Sequence, residues 1–355
     1  MEQIKWVGSK NINIDVINKQ IKECIETNIF TNNGPNVQKL QDKLREILQI
    51  DDNKEILMTC NGACGLNAIV GGLNHYYQKD LKYITQSFTF PCANQSMLSE
   101  SIVVDIDNTM GPDINEIMKY IDNIDCIIVT NCFGCVTDIQ KYIDLCNKYN
   151  KILIFDNAAT PYTFYKGKNS INYASCSMIS FHHTKQLGFS EGGAIIFDKK
   201  YDDVMRKIIN FGFTQTNRTE YSKYASNYKM SELTSIYLNN YLENFENIYR
   251  HIQLMTKYFY NKLQEHNLIN IVVNTFYGFE NFGLLGCIPI ISKNETITCK
   301  LFIDNNIEAK KYYYSLDPTC KVSKFIYDQI ILLPCNTNTT YQNIDKYINI
   351  IINNK

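Results

Sequence analysis

Short apolar runs of strand length alternate with stretches of helical period through the N-terminal part of the chain. This alternation constrains the fold more than any other feature. The apolar runs fall at 56–60, 81–85, 102–107, 126–130, 152–155 and 194–197. Apolar residues recur at helical spacing over 15–29, 37–48, 114–121 and 139–149. Strands and helices in such alternation fold as a mainly parallel sheet covered by helices on both faces. In these sheets ligands sit outside the carboxyl ends of the strands. The turn at Asn61-Gly62, Phe90, Asp156 and Lys185 all follow predicted strands, so chemistry is expected at that end of the sheet.

The densest group of reactive side chains is Ser180-Phe181-His182-His183-Thr184-Lys185-Gln186-Leu187-Gly188-Phe189-Ser190-Glu191-Gly192-Gly193-Ala194. It offers a hydroxyl, two imidazoles and a lysine, then a Gly-Gly pair that leads into a strand. Upstream, the run 152–155 ends directly on Asp156. These residues match the needs of pyridoxal phosphate. That cofactor requires an amine to form an imine with its aldehyde, an anion to keep its ring nitrogen protonated, and hydroxyls or amides for its phosphate. Taken alone, Lys185 reads as a surface lysine on a Gly-rich loop; its neighbours carry the other reading. In Asn61-Gly62-Ala63-Cys64, small residues at a helix mouth let backbone N–H groups approach an anion. Phe90 is placed either to stack on a planar ligand or to pack into the core. His183 and Glu191 each read as a substrate contact or as loop packing. Cys132 and Cys135 form a CxxC pair with no second pair at zinc-binding distance, and read as a structural loop.

At 355 residues the chain suits one large and one smaller domain. A long helix from Ser231 to about Glu265 is expected to connect them, dividing the chain into 1–235 and 236–355. Strand candidates at 269–273, 287–291 and 330–334, with a helix at 341–353, suit a small α+β domain. Basic and acidic residues balance, 35 against 36, which gives no electrostatic footprint for nucleic acid or anionic membrane. No apolar run reaches bilayer length and the N-terminus has no apolar signal core, so a cytoplasmic protein without membrane association is expected. The 13 cysteines are scattered and read as reduced thiols; no metal site is expected.

Taken in order, these segments resemble the DegT/StrS nucleotide-sugar aminotransferases, a branch of the fold-type-I pyridoxal-phosphate enzymes. The likeness runs over nearly the whole chain. It is carried by Asn33-Gly34-Pro35, Asn61-Gly62-Ala63-Cys64-Gly65-Leu66, Ser87-Phe88-Thr89-Phe90 and Val104-Asp105-Ile106-Asp107. Phe155-Asp156-Asn157-Ala158-Ala159 and Ser180-Phe181-His182-His183-Thr184-Lys185 are the most specific blocks. Asn227-Tyr228-Lys229-Met230 and Leu332-Leu333-Pro334 complete the series.

The resemblance implies an α/β large domain with a mainly parallel, seven-stranded type of sheet, and a smaller C-terminal α+β domain. It makes Lys185 the Schiff-base lysine and sets Asp156 against the pyridine nitrogen. Phe90 would stack on the ring, with Ala159 near the ring oxygen. Ser180 and the backbone of Gly62, Ala63 and Cys64 would hold the phosphate. Asn227 would reach the phosphate of the neighbouring subunit in a homodimer. His183, Glu191, Lys310 and Tyr313 are expected near substrate. Ala63, Ala159 and Lys310 depart from the family's Thr, its His or Gln, and its Arg. Lys185 argues for transamination, since the family's sugar 3-dehydratases carry His there. The implied reaction moves an amino group from L-glutamate to a nucleotide-linked 4-keto-6-deoxyhexose. A C-3 ketosugar acceptor, or a cofactor- or sugar-binding relative without turnover, are the alternatives.

Overall fold

The computed structural model describes residues 3–213, 218–219, 221–269, 283–292 and 294–354. The chain opens with α1 (Ile14–Thr27), capped by the Asn13 side chain, and α2 (Pro35–Ile47), which starts on a proline whose missing N–H costs nothing at that position. Then come β1 (Lys54–Thr59), α3 (Gly62–Tyr76), β2 (Tyr83–Gln86), β3 (Ile102–Val104), α4 (Ile114–Met118), β4 (Cys126–Thr130), α5 (Ile139–Tyr149) and β5 (Ile152–Asp156). A two-residue ladder of β6 (Phe164–Tyr165) and β7 (Lys168–Asn169) precedes β8 (Cys176–Ser180), β9 (Gly193–Asp198) and α6 (Asp202–Ile208).

One sheet of seven strands, in the order β1-β9-β8-β5-β4-β2-β3, forms the centre. Strands β3, β2, β4, β5 and β8 pair in parallel; β9 runs antiparallel to both β8 and β1. The apolar runs of the sequence account for six of these strands. The seventh, β8, reads Cys-Ser-Met-Ile-Ser, and all five residues are buried. Its serines hid it: Ser177 is tolerated in the interior because its hydroxyl donates to the Ile171 carbonyl at 2.8 Å.

Alternation along the strands builds two separate apolar layers. Cys126, Ile128 and Ile154 face Leu66, Ile69 and Leu73 of α3 and Met205 of α6. Ile127, Val129, Leu153 and Phe155 face Ile139 and Tyr142 of α5 and Ile117 of α4. Each such side chain contributes about 1.5–3 kcal/mol by leaving water, so a one-residue slip of β4 or β5 would forfeit the whole layer. The register therefore fixes which residues meet at the strand ends. Thr130 pairs with Asp156, while Thr59 and Ser180 both pair with Gly193.

The rest of the chain differs from expectation at one point. The single helix expected from Ser231 is two: α7 (Glu232–Leu242) and α8 (Phe245–Glu265). The break falls at Glu243-Asn244. Asparagine competes for backbone hydrogen bonds and weakens a helix interior, and Glu243 is drawn to Lys43 at 2.5 Å. Leu242 and Phe245, on either side of the interruption, are both in the core. Beyond α8, β10 (Ile288–Ile291) pairs antiparallel with a later strand, β11 (Ile330–Leu333). Between them lie α9 (Cys299–Asp304) and α10 (Lys321–Gln329), and α11 (Tyr341–Ile352) closes the chain. Apart from Ile269, the expected strand at 269–273 lies outside the described residues. One apolar cluster joins α2, α7, α8, β10, β11 and α11. None of the 13 cysteines is joined in a disulfide. No helix among the described residues is long and apolar enough to cross a membrane.

Candidate active site

A cavity of about 640 Å³ opens at the carboxyl ends of β4, β5 and β8. Of the residues singled out in the sequence, Gly62, Ala63, Phe90, Asp156, Ala159, Ser180, Lys185, Glu191, Lys310 and Tyr313 line it. Cys64, His183 and Asn227 do not.

Asp156 ends β5 and is 1% exposed. Its Oδ1 accepts the Ala158 N–H at 3.0 Å. Burial pushes the Asp156 carboxyl above the usual range, against the pull of that N–H and of Lys185. Lys185 is held in a tight turn: its N–H donates to the His182 carbonyl at 2.8 Å, and its own carbonyl accepts from Gly188 N–H at 3.0 Å. The loop arms on either side are bonded to each other, Phe181 N–H to Gly192 and Phe189 N–H to Phe181. A Cβ at Gly188 would lie 1.9 Å from the His182 carbonyl oxygen, so the turn requires glycine there. Burial lowers the pKa of the Lys185 amine; Asp156, Cys287 and Cys92 act in the opposite direction.

The anion cradle is built by β1, α3, β8 and β9. Asn61 caps α3, its Oδ1 accepting the Cys64 N–H at 2.8 Å. The Cys64 amide is thus already used by the helix itself. The amides of Gly62 and Ala63, at the first two helical positions, have no intrahelical acceptor and remain for a ligand. A Cβ at Gly62 would come within 3.0 Å of Met178 Sδ and Ser180 Cβ, so glycine keeps the cradle floor clear. Ser180 Oγ accepts the His182 N–H at 3.2 Å, which leaves its O–H to donate. An unused helix-start pair of amides, a hydroxyl donor, a buried carboxylate and an amine in one cavity fit the phosphate, ring nitrogen and aldehyde of pyridoxal phosphate.

Phe90 is 55% exposed although it follows a buried strand, and it faces the cavity. Its backbone is steadied by the Thr89–Thr130 hydroxyl pair at 2.6 Å. Tyr313 is stacked on Phe133 at 5.3 Å, and burial pushes its phenol up. Glu191 stands 3.6 Å from His182 Nε2 at the mouth. His183 is exposed, bonded through its backbone N–H to Ser190. Asn227 is exposed and bridges to Asn210.

Gln186, inside the reactive stretch, and Tyr312, beside Tyr313, also line the cavity, as do Trp6 and Glu308, which carry no motif that singled them out. Trp6 is held there by its N–H donating to Glu308 Oε2 at 2.7 Å, across nearly the whole chain. Its being the chain's one tryptophan was the only signal available. Among the described residues, no three His, Cys, Asp or Glu side chains gather to hold a metal ion. Cys132 and Cys135 are buried in the loop after β4.

The fold and this cavity define an aminotransferase built around pyridoxal phosphate. The chain belongs to the DegT/DnrJ/EryC1/StrS aminotransferase family, whose model matches residues 12–352. It is 28% identical over 300 residues to the dTDP-4-amino-4,6-dideoxy-D-glucose transaminase of Shigella dysenteriae, covering 81% of this chain and 78% of that protein. Among solved structures it is similar to Helicobacter pylori PseC, an aminotransferase of pseudaminic acid biosynthesis, with a TM-score of 0.83, 16% identity and 99% of each chain covered. DesI, solved in the presence of its TDP-sugar product, superposes with a TM-score of 0.85 at 16% identity, over 99% of this chain and 92% of DesI.

Proposed function

We propose that this aminotransferase moves an amino group from L-glutamate to a nucleotide-linked 4-keto-6-deoxyhexose, yielding a 4-amino-4,6-dideoxy sugar nucleotide. The observation that carries the chemistry is the joint presence of Lys185, Asp156 and the open Gly62–Ala63 amides in one cavity. The sugar reading is supported by the 28% identity, over most of the chain, to a transaminase acting on such a sugar.

When bound, pyridoxal phosphate supplies an electron sink and a carrier for the amino group. Lys185 is the attachment amine. Burial lowers its pKa and so favours the neutral form, in which Nζ can take up a proton and return it. Asp156 would face the ring nitrogen; its carboxylate, disfavoured by burial when alone, would be stabilised by that cationic partner. Gly62, Ala63 and Ser180 hold the phosphate, with Cys64 contributing by shaping the helix start. Phe90, on the cavity wall, would stack on the ring, and Ala159, also on the wall, would lie near the ring oxygen. Glu191, Lys310 and Tyr313 contact substrate from the walls; His183, which does not line the cavity, is the weakest of the expected contacts.

Residues 1–235 form the cofactor-binding part and 236–355 the smaller domain that covers it. Two chains form a homodimer in which Asn227, exposed and absent from its own chain's cavity lining, serves the neighbour's phosphate.

The test loads the protein with the amine form of the cofactor and offers ketosugars linked to dTDP, UDP or GDP. Consumption of that form by a dTDP-linked 4-ketosugar, and restoration by L-glutamate, is the expected result. Response only to 3-ketosugars would overturn the positional assignment.

A further inference from the structure

Lys10 reaches the Lys185 turn from the far side of the cavity wall. Its ammonium donates to the Lys185 carbonyl at 2.8 Å, and lies 3.4 Å from both the Gln186 carbonyl and the Tyr241 hydroxyl. It also stands 4.9 Å from the centre of the Tyr241 ring. The Tyr241 hydroxyl donates to that same Gln186 carbonyl at 2.9 Å. Among the described residues no carboxylate pairs with Lys10. A half-buried cation without an anion is costly, and burial brings its pKa down to about 8. What compensates it is a set of dipoles and an aromatic ring. Two of those dipoles belong to consecutive backbone carbonyls, one of them from the residue whose amine is the reactive group.

The segment that carries Lys10 is itself strapped down. Asn336 Nδ2 donates to the carbonyls of Lys5 and Trp6, and Asn338 Oδ1 accepts the Ser9 N–H. Gln186 in turn donates to the Cys335 carbonyl at 2.5 Å. The turn is therefore gripped by the N-terminal strap, by α7 and by the segment after β11, while its Lys185 side chain points into the cavity.

We infer that Lys10 is a positioning residue for the reactive amine: by gathering the Lys185 and Gln186 carbonyls, together with Tyr241, it fixes the turn from which Lys185 Nζ projects. This rests on Lys185 being the attachment amine. The Lys10 bond holds the peptide plane after Lys185 and the His182 carbonyl holds the one before it, so the Cα from which the side chain projects is fixed from both sides; a displacement of about 1 Å at a reacting atom costs on the order of 100-fold in rate.

The test compares wild type with K10M, K10R and Y241F. Without cofactor, hydrogen exchange is followed at the Lys185 and Gly188 amides; with cofactor, kcat and KM are measured. In K10M those two amides are expected to exchange about tenfold faster, the effect of losing a charge-assisted hydrogen bond, with the sheet unaffected. Its kcat is expected to fall about 100-fold with KM little changed. K10R, which keeps charge and donors, recovers most of the rate, and Y241F shows a smaller version of the K10M effect. Wild-type exchange and kcat in K10M would overturn the inference. So would faster exchange throughout the molecule, which would make Lys10 a general stabiliser; if K10M does not fold, K10R and Y241F decide by the same readouts. Absence of any cofactor adduct at Lys185 in wild type would instead contradict the reading of Lys185, and the exchange data would still judge the clamp.

Discussion

The Lys185 amine and the Asp156 carboxylate line one cavity yet form no ion pair, with no nitrogen–oxygen distance between them within 4.0 Å. Each still feels the other. The carboxylate raises the amine's pKa and the ammonium lowers the carboxyl's, but burial acts the opposite way on both and prevails. Two groups held apart, each biased toward neutrality, are suited to meet different parts of one ligand.

Changing Asp156→Asn removes the anion and keeps the shape. A buried charge that loses its partner costs about 3 kcal/mol or more, so turnover is expected to fall by about 100-fold or more. Thermal stability should change little or rise, since the carboxyl is disfavoured by burial before a ligand arrives. Steady-state rates and melting curves check both statements.

The pH dependence of Lys185 has a defined sign. Its pKa lies below the usual 10.5, and only the neutral amine attacks an aldehyde. In the protein without cofactor, the rate of adduct formation at Lys185 should rise with pH and level off below 10.5. In Asp156→Asn the anion that raises this pKa is gone, so the rise should move to lower pH. A shift to higher pH would contradict the electrostatic assignment. Mass spectrometry of the Lys185 peptide after timed reduction supplies the measurement.

Gly188→Ala tests the turn. The new Cβ would meet the His182 carbonyl oxygen at 1.9 Å, and backbone must move. A loss of about 1–3 kcal/mol is expected from such overpacking, together with a strong loss of activity as Lys185 is displaced. Denaturant unfolding and turnover are the two readouts.

Gly62→Ala tests the cradle. Its Cβ would press on Met178 and Ser180 at 3.0 Å while fold stability is nearly kept. Cofactor affinity should weaken about tenfold, equivalent to about 1.4 kcal/mol, as measured by fluorescence titration.

Much of the site was legible because it is local. Asp156, Gly62 and Phe90 each follow a strand whose end is marked where an apolar run meets a polar or small residue, and Lys185 stood out through its reactive neighbours. What was not legible came from distance or from polar interiors. Strand β8 escaped because its serines look like a loop, although both are buried and the Ser177 hydroxyl is satisfied inside the fold. The break at Glu243-Asn244 escaped because buried apolar residues continue on both sides of it. Trp6 and Glu308 reach the cavity through a contact across nearly the whole chain, which no window of sequence contains. Cys64 sits in the expected segment, but its amide is taken by Asn61, a competition that only the cap geometry reveals.

The central claim is that one amine carries the cofactor. The protein is incubated with pyridoxal phosphate, reduced with borohydride, digested, and every lysine-containing peptide is weighed. A single phosphopyridoxyl adduct on Lys185, absent in Lys185→Ala, is the expected result. No adduct, or one on another lysine with Lys185 unmodified, would contradict the account.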